Sequence, residues 1–223
     1  MKKKNEIITV EDCKELIGLH FTIKHNGKMK GMQSLSTSSL CNKYCQAYSK
    51  DPEKVCYKCY AQTQMKCYTN MQKCFENNTK ILTSTIINKD YLPYINTVVF
   101  RLEAFGDVNN ETQVINYFNL CKKNKHVKFA LWTKNPGIID RTIKHGNTKP
   151  KNLQIVLSSH YLNVQADVNK WDFVDKVFTV YTKDYIKENN INTNCKAESC
   201  LACQKCYHKS NEVYINEELR GKM

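Results

Sequence analysis

Thr97-Val98-Val99-Phe100-Arg101-Leu102 is an apolar, β-branched run, and Glu103-Ala104-Phe105-Gly106-Asp107 after it forms a polar turn. A helix is predicted next: Val114, Phe118 and Cys121 recur at i, i+4 and i+7, and Glu111 stands at the start, where the helix dipole favours an anion. The succession then repeats. Val127 to Trp132 reads as a second strand, Pro136 to Lys144 as a short helix, Leu153 to Ser158 as a third strand and Lys176 to Tyr181 as a fourth. Successive strand starts lie 23 to 30 residues apart, the spacing of strand-helix-strand units in a parallel sheet. The fold class is therefore α/β. Upstream, Glu11 to Gly18 and roughly Thr63 to Ile87 have helical character, and Met29 to Thr37 supplies an additional strand. The sheet is expected to curl into a partial (β/α) barrel.

The 223 residues suffice for one well-buried domain, and 41% hydrophobic with 10% aromatic content argues against disorder. One α/β domain over 1–223 is expected, in three stretches: 1–96 with helices and a first cysteine group, 97–185 with the strand-helix repeats, and 186–223 with a second cysteine group. The net charge of +13 is almost wholly lysine, Arg101, Arg141 and Arg220 being the only arginines. Lysine excess with many asparagines is what AT-biased coding produces. A lysine-rich surface also attracts nucleic-acid phosphates, an attraction that weakens steeply with salt. Tyr44, Tyr48, Tyr57 and Tyr60 interleave with lysines and are able to stack bases, yet tyrosines beside a metal loop more often shield it from solvent. No nucleic-acid motif accompanies the charge, so a solvated surface is the simpler reading.

Eight of the 12 cysteines fall in two groups. In the second, Cys195 precedes Cys200, Cys203 and Cys206, which form C-x2-C-x2-C, a spacing that wraps one loop around a cubane iron-sulfur cluster. A structural zinc site usually takes paired thiolates from two well-separated knuckles, so zinc is the competitor. The first group is Cys41 and Cys45, then Cys56 and Cys59, joined by a polar insert with a turn at Asp51-Pro52. One or two [4Fe-4S] clusters are expected. Cys67, Cys74 and Cys121 stand singly at apolar helical positions and read as small buried hydrophobes, while Cys13 is left open.

A disulfide framework would require an oxidising compartment. Lys2, Lys3 and Lys4 are followed by only a short apolar stretch and the acidic pair Glu11-Asp12, so no signal-peptide core is expected. No stretch approaches the roughly 18 to 20 apolar residues of a membrane span. A reducing cytoplasm, where thiolates stay available to metal, is the consistent setting.

Ligands of parallel sheets bind beyond the carboxyl ends of the strands. Those exits are polar here: Arg101, Glu103 and Asp107, then Trp132 to Asn135, then Ser158, Ser159 and His160, then Tyr181, Thr182 and Lys183. Arg101 and Glu103 alternate on one face. They form an ion pair if that face is interior, or they grip a ligand. Arg101, Glu103, Asp107 and Lys134 are the candidates for holding a small polar substrate. His160 is read as a hydrogen-bonded histidine rather than a metal ligand.

The order Ser34-Leu35-Ser36-Thr37, Cys45, Cys56-x2-Cys59-Tyr60-Ala61, Phe100 to Asp107, Phe129 to Asn135 and a terminal cysteine-rich knot resembles the phage gene-product eighty-eight family, over about residues 29 to 208. Members occur in phages and bacteria and are similar to the radical S-adenosylmethionine barrel. The resemblance implies a radical-SAM-like scaffold with a cluster near the first cysteine group. It carries over to Cys45, Cys56 and Cys59, to Arg101, Gly106 and Asp107, to Thr133 and Lys134, and to Cys200, Cys203 and Cys206. The radical-SAM signature itself is C-x3-C-x2-C, whereas Cys41-x3-Cys45 is followed by Tyr48. Three thiolates would leave one iron open to S-adenosylmethionine; four, with Cys41 included, would close it. A cluster shared by both groups is the third arrangement, and spacing leaves the three open.

The sequence thus points to an iron-sulfur protein, redox-related or of radical type, with a redox partner or small polar substrate. The alternative is a noncatalytic zinc-stabilised module that contacts nucleic acid or a protein.

Overall fold

The computed structural model describes residues 7–219, so Lys2–Lys4 and Arg220 lie outside the described residues. Six strands form one sheet: β1 (Gln33–Leu35), β2 (Val99–Leu102), β3 (Lys128–Thr133), β4 (Leu153–Ser158), β5 (Lys176–Tyr181) and β6 (Tyr214–Glu218). Each pairs in parallel with its neighbour in sequence, so β1 and β6 stand at opposite edges. Parallel neighbours need crossovers, and the helices supply them. They are α1 (Val10–Ile17), α2 (Lys43–Tyr48), α3 (Tyr60–Cys67), α4 (Thr69–Ser84), α5 (Glu111–Lys123), α6 (Pro136–Lys144), α7 (Lys183–Glu188) and α8 (Cys200–Cys203).

Strand alternation sorts the sheet into two cores. Phe100, Leu102, Phe129, Leu131, Leu153, Ile155 and Leu157 face α4, α5 and α6 and pack with Leu82, Val114, Tyr117, Phe118 and Ile139. Val99, Ala130 and Val156 point the other way, onto Met32 and Tyr207, and there the segment carrying Cys200, Leu201 and Cys206 covers the sheet. Both faces being covered, β4 is buried at every position, as parallel strands require. The Lys28 ammonium, just ahead of β1, lies 2.7 Å from the Glu217 carboxylate on β6, so an ion pair spans the two sheet edges.

Local chemistry sets the helix ends. Thr9 and Asp12 form a capping box on α1, which stops at Gly18 with φ 76°. Asn110 caps α5, and Pro136 opens α6. The helix expected over Thr63 to Ile87 is two helices: Tyr68, with φ −119° and ψ 86°, breaks it between α3 and α4. Cys121 and Cys13 are buried, but Cys67, at the end of α3, is exposed, and Cys74 is half-buried with its sulfur 3.5 Å from His20 Nδ1.

Asparagines do more than reflect coding bias. Asn116 accepts from Ile87 N and donates to Leu82 O and Thr85 O; Asn124 accepts from Ile95 N and donates to Pro93 O and Leu120 O. Each fixes a connection that lacks regular backbone partners, where an unpaired group would cost about 1–3 kcal/mol. Among the described residues, no helix is long and apolar enough to cross a membrane.

Candidate metal centre

The two cysteine groups meet. A cavity of about 430 Å³ beyond the strand exits is lined by Cys45, Cys56 and Cys59 from one end of the chain and by Cys195, Cys200, Cys203 and Cys206 from the other. Cys41 is exposed and does not line it. The first group is therefore three inward thiols, not four.

Each group is tied to the sheet by named bonds. Asn42 Oδ1 accepts from Tyr44 N and Cys45 N, starting α2, while its Nδ2 donates to Asp107 O at 3.0 Å and so anchors that helix at the β2 exit. The Tyr44 hydroxyl donates to Lys134 O at 2.6 Å, at the β3 exit. Having spent its proton there, it accepts from Nε2 of His160, whose pKa burial and the nearby Lys134 and Lys54 ammonium groups push down. His160 is thus a neutral, hydrogen-bonded histidine. Val55 N donates to His160 O at 2.9 Å, and Tyr60 donates to Ala104 O at 2.6 Å. In the second group Ser199 caps α8, and Gln204, with φ 53°, turns the chain so that Cys206 follows at once. Lys28 Nζ lies 3.4 Å from Cys195 Sγ and donates to Cys195 O at 2.9 Å.

Burial governs the thiols. It pushes Cys45 and Cys56 up; Asp107 and the neighbouring thiols add to the rise at Cys45, whereas Lys134 opposes it at Cys56. Burial likewise raises Cys195 and Cys200 and pushes Cys206 up to about 12, with Arg101 opposing the rise at Cys200 and Cys206. Such thiols hold their protons until a metal displaces them. Among the described residues no three His, Cys, Asp or Glu side chains stand so as to hold one metal ion. The chemistry of the donor set, soft sulfur in a partly apolar chamber with cations beside it, fits a metal-sulfur cluster.

The four strand-exit residues divide into two kinds. Glu103 and Asp107 are buried and saturated by protein donors. Glu103, at φ 56°, accepts from Thr37 N at 3.1 Å, Thr37 Oγ1 at 2.8 Å, Gln113 Nε2 at 2.6 Å and the Tyr117 hydroxyl. Burial pushes its carboxyl up to about 7, against the pull of those bonds. Asp107 accepts from Thr133 Oγ1, Lys134 N at 2.8 Å and Val108 N at 2.8 Å, and burial raises it too. Gly106 packs between them: a Cβ there would stand 2.5 Å from Glu103 Oε2 and 2.6 Å from Thr37 O. Arg101 and Lys134 are different. Neither meets a carboxylate in an ion pair among the described residues, and the Arg101 to Glu103 pair is not formed, because Glu103 leaves strand geometry at its positive φ. Lys134 Nζ donates to Ser158 Oγ at 3.0 Å, and the buried Nε of Arg101 has no partner.

No family model, curated protein or solved structure matches this chain.

Sequence reasoning placed Trp132 at a strand exit but missed Ser39 and Lys28 as cavity residues. Ser39 is 1% exposed, and its hydroxyl lacks a partner. The web around Glu103 had a signal: Gln113 and Tyr117 stand at i and i+4 on α5, polar groups beside the apolar Val114, Phe118 and Cys121.

Proposed function

We propose that this chain is an iron-sulfur protein holding two [4Fe-4S] clusters in one chamber, on a sheet curled into a radical-SAM-like partial barrel. Cys45, Cys56 and Cys59 would hold one, and Cys195, Cys200, Cys203 and Cys206 the other. The carrying observation is that seven thiols from opposite ends of the sequence line a single cavity at the strand exits. Among the described residues no three of these thiols stand so as to share one metal ion, which favours clusters, in which each thiolate takes a different iron, over a zinc ion about 2.3 Å from each of four sulfurs. The ion pair between Lys28 and Glu217, across the two edge strands, supports the curl. The motif order that resembles the phage gene-product eighty-eight family supports the same reading.

With Cys41 exposed and outside the cavity, Cys45, Cys56 and Cys59 would hold the first cluster with three thiolates, a set that would leave room for S-adenosylmethionine and its reductive chemistry. The protein's own part is then to bind and orient. Arg101 and Lys134 offer charge to a small polar substrate, Glu103 and Asp107 hold the strand exits that carry them, and Tyr44, Tyr60 and Trp132 wall off solvent. The reading is a redox or radical-type enzyme.

Anaerobic purification from iron-supplemented cells tests it, through iron, sulfide and visible absorption. About eight irons and eight sulfides per chain are expected, two cubanes at four each. Colourless protein with stoichiometric zinc and no sulfide would overturn the reading in favour of a zinc-stabilised binding module. Reductive cleavage of S-adenosylmethionine by the reduced protein would separate a radical enzyme from an electron carrier.

A further inference from the structure

We propose that Arg101 is the built-in counter-charge of the second thiol set, and that it raises the reduction potential of the cluster held by Cys195, Cys200, Cys203 and Cys206. The inference rests on the two-cluster reading above and adds a role that the thiols alone do not define.

Arg101 lies on the cavity face of β2, with Phe100 and Leu102 turned to the helical core. Its guanidinium carbon is 3.9 Å from the centre of the Trp132 ring, and its Nη1 is 3.6 Å from Met29 Sδ. Trp132 in turn meets Tyr207, the residue after Cys206, with ring centres 6.2 Å apart. Met29, Trp132, Cys200 and Cys206 all pack against one small apolar cluster. The guanidinium is thus pinned on the side of the chamber where the second thiol set sits.

No protein group among the described residues neutralises this charge. Among the described residues no carboxylate pairs with Arg101; Glu103 is taken by Thr37, Gln113 and Tyr117, and Glu217 by Lys28. The buried Nε of Arg101 has no hydrogen-bond partner, so one donor of this cation is free to meet an anion. Thiolates on iron are that anion. One-electron reduction of a cluster adds one negative charge and breaks no bond, and a fixed positive charge in a poorly screened chamber favours the reduced state. Lys134 lies by Cys56 of the first set and serves as the control.

The test is a stepwise anaerobic titration of the loaded protein with dithionite as electron donor, followed by electron paramagnetic resonance, on wild type, R101Q, R101K and K134Q. Iron and sulfide are counted in each. R101Q is expected to move one of the two potentials to a more negative value at unchanged iron, R101K to stay near wild type, and K134Q to leave the potential that R101Q moves where it was. Unchanged potentials in fully loaded R101Q would overturn the proposal. If R101Q fails to load its second set, R101K decides: a near wild-type potential supports the role of charge, and a potential lowered despite the retained charge overturns it. Failure of wild type to hold iron and sulfide would instead remove the two-cluster reading itself.

Discussion

The Arg101 guanidinium stacks on Trp132, 3.9 Å from the ring centre, so a cation on β2 and an indole on β3 are packed as one unit on the cavity face of the sheet. Trp132 also meets Phe178 and Tyr207 edge-on. Trp132→Ala is expected to cost about 3 kcal/mol in urea unfolding, the low end for a large aromatic because the ring is only half-buried. Trp132→Phe keeps a ring under the cation and should cost about 1 kcal/mol.

Glu103 makes stability depend on pH in an unusual direction. Its carboxyl ionises near the ordinary 4.5 when unfolded and at about 7 when folded, so between those values the native state holds a proton that the unfolded chain has released. Stability therefore falls as pH rises from about 4.5 to about 7, and is level above that. The loss amounts to about 3 kcal/mol for a fully buried group at 1.36 kcal/mol per pKa unit. Unfolding of wild type and Glu103→Gln at pH 4.5 and pH 8 checks this. The difference in slope belongs to the carboxyl, and equal slopes would contradict the assignment.

Gly106→Ala forces a methyl against Glu103 Oε2 and the Thr37 carbonyl, both under 3 Å away. Backbone on one side cannot yield as a side chain does. A loss of about 1–3 kcal/mol is expected in thermal or urea unfolding.

Asn124→Ala removes the acceptor of Ile95 N and the donor to Pro93 O, both in the buried connection ahead of β2. A cost of about 3 kcal/mol is expected from the groups left unpaired, and hydrogen exchange should quicken at Ile95 in particular.

Cys41→Ala and Cys45→Ala separate the exposed thiol from the inward one. Cys41→Ala should load iron as wild type does. Cys45→Ala should lose about half of it, one cubane of two.

Four of the six strands were legible because their apolar runs are buried on both faces. Leu153–Ser158 and Lys176–Tyr181 match residue for residue. Met29 to Thr37 shrinks to Gln33–Leu35, since a 3₁₀ turn occupies Gly27–Met29. β6 was missed for a physical reason: Tyr214-Ile215-Asn216-Glu217-Glu218 buries Ile215 alone, and an edge strand with one anchored side chain carries no periodic signal. At the site, cysteine spacing picked out both groups, but which thiols turn inward depends on Asn42 and on the bonds from Tyr44 and Val55 to distant strand exits. The pairing of Arg101 with Trp132 rather than with Glu103 depends on one left-handed φ, which no alternation rule foresees.

The bridge from Lys28 to Glu217 and Cys195 joins an earlier part of the sequence to parts synthesised well over a hundred residues later. A nascent chain has Cys45, Cys56 and Cys59 long before it has Cys195, Cys200, Cys203 and Cys206, and the cavity residues Ile215 and Glu217 on β6 come later still. Such long-range closure is slow. On the iron-sulfur reading proposed above, metal insertion would be a finishing step on a nearly complete fold, and an assembly factor delivering iron would have to recognise the folded chamber rather than an emerging peptide.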